Sequence, residues 1–122
     1  MTEDLQQKLF NEFPDLFALR LEPATVSCMA WGIECGDGWF DLLREVCYIV
    51  QSAEDFRFTQ VKEKFGGLRL YYQGGGDFEE GVCYMAERAS YMICERCGSR
   101  GRPNDKGWIS TLCDSCRGGS NA

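Results

Sequence analysis

Cys94, Cys97, Cys113 and Cys116 stand as two Cys-x-x-Cys pairs with fifteen residues between them. Two residues between paired cysteines permit a tight turn that aims both sulfurs at one point. A second such turn, brought in by the intervening loop, completes four donors. That is the donor set of a tetrahedral Zn2+ site, and the spacing falls in the range of such sites. The rival chemistry is a pair of redox dithiols, but no thioredoxin-like βαβ pattern surrounds either pair. With four thiolates the ion keeps no open position for water or substrate, so its expected role is structural.

The chain has eight cysteines and no histidine. Cys28, Cys35, Cys47 and Cys83 lie in apolar stretches and read as small core hydrophobes. The minority reading for them is a second metal site or a Cys28–Cys35 redox pair. The absence of histidine excludes Ser-His-Asp and Cys-His catalysis, and the paired-histidine helix of zinc proteases. What remains for an enzyme is carboxylate chemistry. Glu34, Asp37, Asp41 and Glu45 gather around a Gly-Asp-Gly turn, where they could hold Mg2+ or move protons. Helix capping and surface acidity explain the same residues.

Net charge is −6, unevenly distributed. Residues 1–87 hold seven Lys/Arg against sixteen Asp/Glu, and residues 88–122 hold six against three. The body therefore repels nucleic acid at long range, while the C-terminal stretch could touch it. Arg96, Arg100, Arg102 and Lys106 cluster around the first cysteine pair and the loop after it. They read either as phosphate contacts or as solvated charge. Lys62, Lys64 and Arg69 flank Phe65 in a second candidate surface, which could insert into a partner. An ordinary solubilising hairpin explains them equally well.

The elements that must position these residues follow from periodicity and turn residues. Residues 3–12 read as a short helix with Leu5, Leu9 and Phe10 on one stripe, and Pro14 interrupts it. Residues 25–35 alternate and read as a strand with both faces partly buried. Asp37 or Gly38 is placed to cap a helix from Trp39 to about Ser52, with Phe40, Leu43, Val46, Cys47 and Val50 facing the core. Residues 56–76 read as a β-hairpin turning at Gly66-Gly67, with Leu68, Leu70 and Tyr72 on one face. Residues 77–93 read as a helix capped by Asp77, with Phe78, Val82, Met85, Ala89, Met92 and Ile93 as its buried stripe.

The expected fold class is α+β, three helices against a small, mostly antiparallel sheet, with the four-cysteine module at the C-terminus. The expected organisation is an acidic body over residues 1–92, the module over 93–117 and a flexible tail over 118–122. The N-terminal stretch lacks the basic start and apolar segment of a signal peptide, and no run is apolar enough to span a membrane. A cytoplasmic location is the expectation.

The module resembles a zinc ribbon or the related treble-clef knuckle, with Cys94, Cys97, Cys113 and Cys116 as the matching ligands. That resemblance implies bound Zn2+ and no particular activity. Three blocks, "CGDGWFDLL", "VKEKFGGLRLYY" and "CERCGSRG…GWISTLCDSC", together resemble small hypothetical proteins of bacteriophage and bacterial genomes. This second resemblance spans Cys35 to Cys116 and implies a phage or mobile-element context. The function expected from both is a zinc-stabilised, non-enzymatic protein-binding module that inhibits a host defence or regulatory complex, in the manner of anti-CRISPR proteins. The alternatives are a nucleic-acid-binding zinc ribbon and a carboxylate-dependent enzyme.

Overall fold

A computed structural model describes residues 1–119. The chain runs α1 (Glu3–Glu12), β1 (Ile33–Glu34), α2 (Phe40–Val50), β2 (Arg57–Lys64), β3 (Gly67–Gln73), α3 (Asp77–Ser90), β4 (Arg102–Pro103), β5 (Thr111–Leu112) and α4 (Asp114–Gly119). The sheet order is β1-β2-β3, with β4 and β5 pairing apart. The class is α+β, and the main sheet is mixed rather than wholly antiparallel. β2 and β3 form the antiparallel hairpin, whereas β1 joins β2 in parallel through Ile33↔Val61 and Glu34↔Lys62. No helix among the described residues is long and apolar enough to cross a membrane.

The core holds Leu9, Phe13, Phe17, Met29, Trp39, Leu43, Val46, Val50, Phe56, Phe58, Val61 and Leu68. Its aromatic centre is a chain of rings, Phe10 to Phe17 to Phe58 to Phe56 to Tyr72, with successive centroids 4.7–5.2 Å apart. Edge-on and offset contacts of this kind add to the area they bury. The apolar stripe expected on α2 packs here, with Leu43, Val46, Cys47 and Val50 all buried. The hairpin face expected to carry Leu68, Leu70 and Tyr72 also packs against this core.

Three expectations require correction. First, residues 25–35 are not a strand. Ser27 accepts the Met29 amide on its Oγ and opens a 3-10 turn over Cys28–Trp31, which Gly32 ends at φ +80. Both sets of alternating residues are apolar here, so a two-residue period could not distinguish strand from turn. Only Ile33–Glu34 reaches the sheet, and Cys28 is exposed rather than a core residue. Second, the hairpin turns at Phe65-Gly66, one residue earlier than the glycine pair suggests. Lys64 pairs with Gly67, and Phe65 and Gly66 both have positive φ, 53 and 83. That is the type I′ turn favoured by the twist of hairpin strands.

Third, the buried stripe of α3 is rotated from expectation. Cys83, Ala86 and Ser90 face inward, while Phe78, Met85 and Met92 are exposed. The helix starts one residue earlier than an Asp77 cap implies. Glu79 reaches back and its Oε1 accepts the Gly76 amide at 2.8 Å. Likewise Asp37 does not cap α2, whose first residue follows Trp39 without a side-chain cap.

Candidate metal centre

The four candidate sulfurs, of Cys94, Cys97, Cys113 and Cys116, all lie within 4.8 Å of one another. Cys97 Sγ and Cys113 Sγ stand 3.6 Å apart. Sulfurs at the corners of a tetrahedron with Zn–S bonds of about 2.3 Å are separated by about 3.8 Å. Donor type, number and spacing therefore fit Zn2+. The first pair sits in a knuckle closed by the Gly98 amide, which donates to Cys94 O at 2.9 Å. Gly98 has φ +84, the left-handed conformation that this turn requires. The second pair straddles the start of α4, which begins at Asp114 between Cys113 and Cys116. The module thus runs knuckle, two-stranded β4–β5 pair and short helix.

Hydrogen bonding acts unequally on these thiols. The Cys116 amide donates to Cys113 Sγ at 3.3 Å. Burial opposes ionisation of Cys94, but amides of Cys113, Cys97 and Arg96 outweigh it and hold the thiol below its ordinary range. Cys97 is drawn down to about 6, first by the Ser99 hydroxyl. Cys116 is pushed up to about 12, chiefly by its hydrogen bonds to Cys113 and Cys97. Four thiols this close share protons until a dication replaces them. The cysteines outside the cluster show the opposite chemistry. Burial raises Cys35 and Cys83 to about 12 and Cys47 still further, so these thiols stay protonated and pack as hydrophobes.

The knuckle is seated on the Gly-Asp-Gly turn. The Gly38 amide donates to Glu95 O at 2.7 Å, and the Gly36 amide donates to Glu95 Oε2 at 2.9 Å. A side chain at position 38 would collide with the backbone of Cys94, Glu95 and Gly98. Trp39, fully buried, donates its Nε1–H to Ile93 O at 2.8 Å. The sequence block read as an acidic turn thus docks the metal module. Asp37 Oδ1 accepts the Thr2 amide at 2.7 Å and lines a cleft of about 600 Å3 with Glu95, Arg96 and Trp108. Burial lifts the Glu95 carboxyl above the usual carboxylate range, against the Gly36 amide that lowers it. Glu34, Asp41 and Glu45 are exposed and do not line that cleft.

The module also meets the hairpin tip. Thr111 is fully buried, and its Oγ1–H donates to Gly66 O at 2.6 Å. A cleft of about 460 Å3 follows this junction, lined by Lys62, Glu63, Lys64, Phe65, Gly107, Trp108 and Ile109. Phe65 is 67% exposed and Trp108 is 86% exposed. Asn104 holds the loop carrying Trp108. Its Nδ2 donates to Lys106 O at 2.6 Å and to Trp108 O at 2.9 Å, and its Oδ1 accepts the Ser110 amide at 2.7 Å.

The basic candidates divide into two groups. Arg69 bridges Glu87 at 3.5 Å and donates to Tyr91 Oη at 3.2 Å, so it ties β3 to α3. Arg96 donates to Cys116 O across the metal site, and Arg102 pairs with Asp114 at 3.1 Å. Lys62, Lys64 and Phe65 line the seam, and Arg100 and Lys106 are exposed. Sequence reasoning did not place Ile109 in this surface or Asn104 as the support of its loop. The Asn-Asp-Lys-Gly-Trp run signalled a loop but not what the loop would face. No family model, no curated protein and no solved structure matches the chain.

Proposed function

We propose that the chain is a zinc-stabilised, non-enzymatic protein-binding module that meets its partner at the seam between hairpin tip and four-cysteine module. The observation that carries this reading is the pairing of two exposed aromatic side chains, Phe65 and Trp108, across one cleft. Large aromatics set in a concave surface are the residues that dominate protein interfaces. Phe65 is held there at φ 53, a conformation uncommon for a bulky side chain. Strain of this kind concentrates at sites that use it. The metal supports the surface indirectly, by fixing Thr111 against Gly66 and so the Trp108 loop against the tip.

Lys62 and Lys64, against the single acid Glu63, leave the seam lining net positive, so the partner surface is acidic around an apolar pocket. The resemblance to phage-genome proteins supplies the setting. The partner is then a host defence or regulatory complex in the cytoplasm, and binding inhibits it; that part rests on the resemblance. A second reading, single-stranded nucleic acid, is favoured by the same two aromatics flanked by lysines. Against it, Arg69, Arg96 and Arg102 are engaged within the chain.

The test is affinity capture by the zinc-loaded protein, with and without nuclease, comparing wild type with Phe65→Ala and Trp108→Ala. The expected result is a stoichiometric protein partner that survives nuclease and is lost with either variant. Capture that disappears on nuclease treatment, and weakens steeply with salt, transfers the assignment to nucleic acid. A partner indifferent to both substitutions removes the seam from the binding surface.

A further inference from the structure

Phe78 and Met85, in the stripe on α3 that periodicity marks for burial, face an open apolar groove instead, while Val82 and Ile93 of that stripe pack against the core. Together α2 and α3 form a trough of about 670 Å3, lined by Leu42, Val46, Ile49, Phe78, Val82 and Met85 among others. Phe78 is 64% exposed and Met85 is 66% exposed. Gly81 lies in the same lining, in the interior of the helix, and a side chain added there would meet nothing within 4 Å. Nothing within the chain requires glycine at that position, and a helix interior disfavours it. The two charged residues of the lining are both acidic, Glu45 and Asp77.

We infer that this groove is the interface of a two-fold homodimer in which α3 packs antiparallel on α3 of a second copy. The helix is complementary to itself in that arrangement. Antiparallel pairing that sets Met85 of each copy over Gly81 of the other brings Asp77 within one residue of the second copy's Arg88. Arg88 follows Asp77 by three helical turns and so lies on the same side of α3. It is exposed, and a cation is what the acidic lining lacks. Phe78 of each copy then reaches the Ala89 end of the other groove. The hole at Gly81, the knob at Met85 and the opposite charges at the two ends are thus related by one symmetry operation, as an isologous contact requires. The seam around Phe65 and Trp108 is built from other elements, so this inference stands independently of the proposed partner site.

The experiment is sedimentation velocity of the zinc-loaded full chain over a wide concentration range. The variants are Gly81→Gln, Asp77→Arg, Arg88→Asp and the double exchange. Circular dichroism confirms that each is folded. Wild type is expected to pass from monomer to dimer with concentration. Gly81→Gln, which replaces a poor helix former with a good one, is expected to remain monomeric while its helix content is kept. Each single charge reversal should weaken dimerisation roughly tenfold or more, and the double exchange should restore most of it. Reversals that merely damaged the helix ends would be worse in combination, so recovery separates pairing from folding. A chain that is monomeric throughout overturns the inference. So does a dimer unaffected by Gly81→Gln, or a double exchange no better than the single reversals.

Discussion

Phe65 shows at the scale of one residue how function is set against stability. Its φ of 53 costs about 1 kcal/mol relative to glycine, and its ring lies mostly in solvent. Phe65→Gly is therefore expected to raise the unfolding free energy by about 1 kcal/mol, read as a higher urea midpoint at unchanged slope. The same substitution should abolish partner capture. A lower midpoint would mean that the ring braces the tip instead of being presented by it. The clustering of the four cysteines was legible in the sequence, because two Cys-x-x-Cys turns specify a geometry within a few residues each. The seam was not. Phe65 and Trp108 come to line one cleft where Thr111 is hydrogen-bonded to Gly66, a contact between segments far apart in the chain. Neither turn chemistry nor periodicity carries information over that separation.

Elements reveal themselves in proportion to how much of their hydrogen bonding is local. α2 and the β2–β3 hairpin were legible because one stripe and one turn determine each. Residues 25–35 misled because their shape depends on Ser27, whose hydroxyl accepts from Met29 and donates to Thr59 O at 3.1 Å, in a different segment. α3 misled for another reason. Its inward face uses small residues, Cys83, Ala86 and Ser90, to come close to the sheet, and its larger residues face outward. A hydrophobicity count cannot see that choice. Ser90 illustrates what it achieves. Its Oγ accepts the buried Leu68 amide at 2.9 Å, on the side of β3 turned away from β2, and donates to Glu87 O. Ser90→Ala is expected to cost about 1–3 kcal/mol, since it leaves a buried amide unpaired without opening a large cavity. Equilibrium denaturation measures it, and a loss of only a few tenths would mean that the amide finds another acceptor.

For the whole molecule, the metal centre fastens an element that the hydrophobic core does not hold. Of the module's residues after Ile93, only Cys94 and Thr111 are buried, and neither belongs to the core cluster of the body. The module is joined to the body through Gly36, Gly38, Trp39, Gly66 and Met92, each by a hydrogen bond to one of its residues. A closed four-thiolate zinc site can contribute roughly 10–16 kcal/mol to such a segment, more than its few apolar contacts can. Removal of the ion should thus act in two stages. With a strong chelator, amide exchange is expected to rise first across residues 93–117 and at the hairpin tip around Gly66. Protection in α1 and α2, whose buried residues belong to the core, should persist. Partner capture should be lost at that same stage, because the loop carrying Trp108 is no longer fixed beside the hairpin tip. Native protein should carry one zinc per chain, and Cys113→Ser should reproduce the chelated state without chelator. If chelation instead unfolds the whole chain together, the Gly36–Trp39 docking contacts couple the module to the core more tightly than their number suggests. If it changes exchange nowhere, the four sulfurs do not hold a metal that matters to the fold.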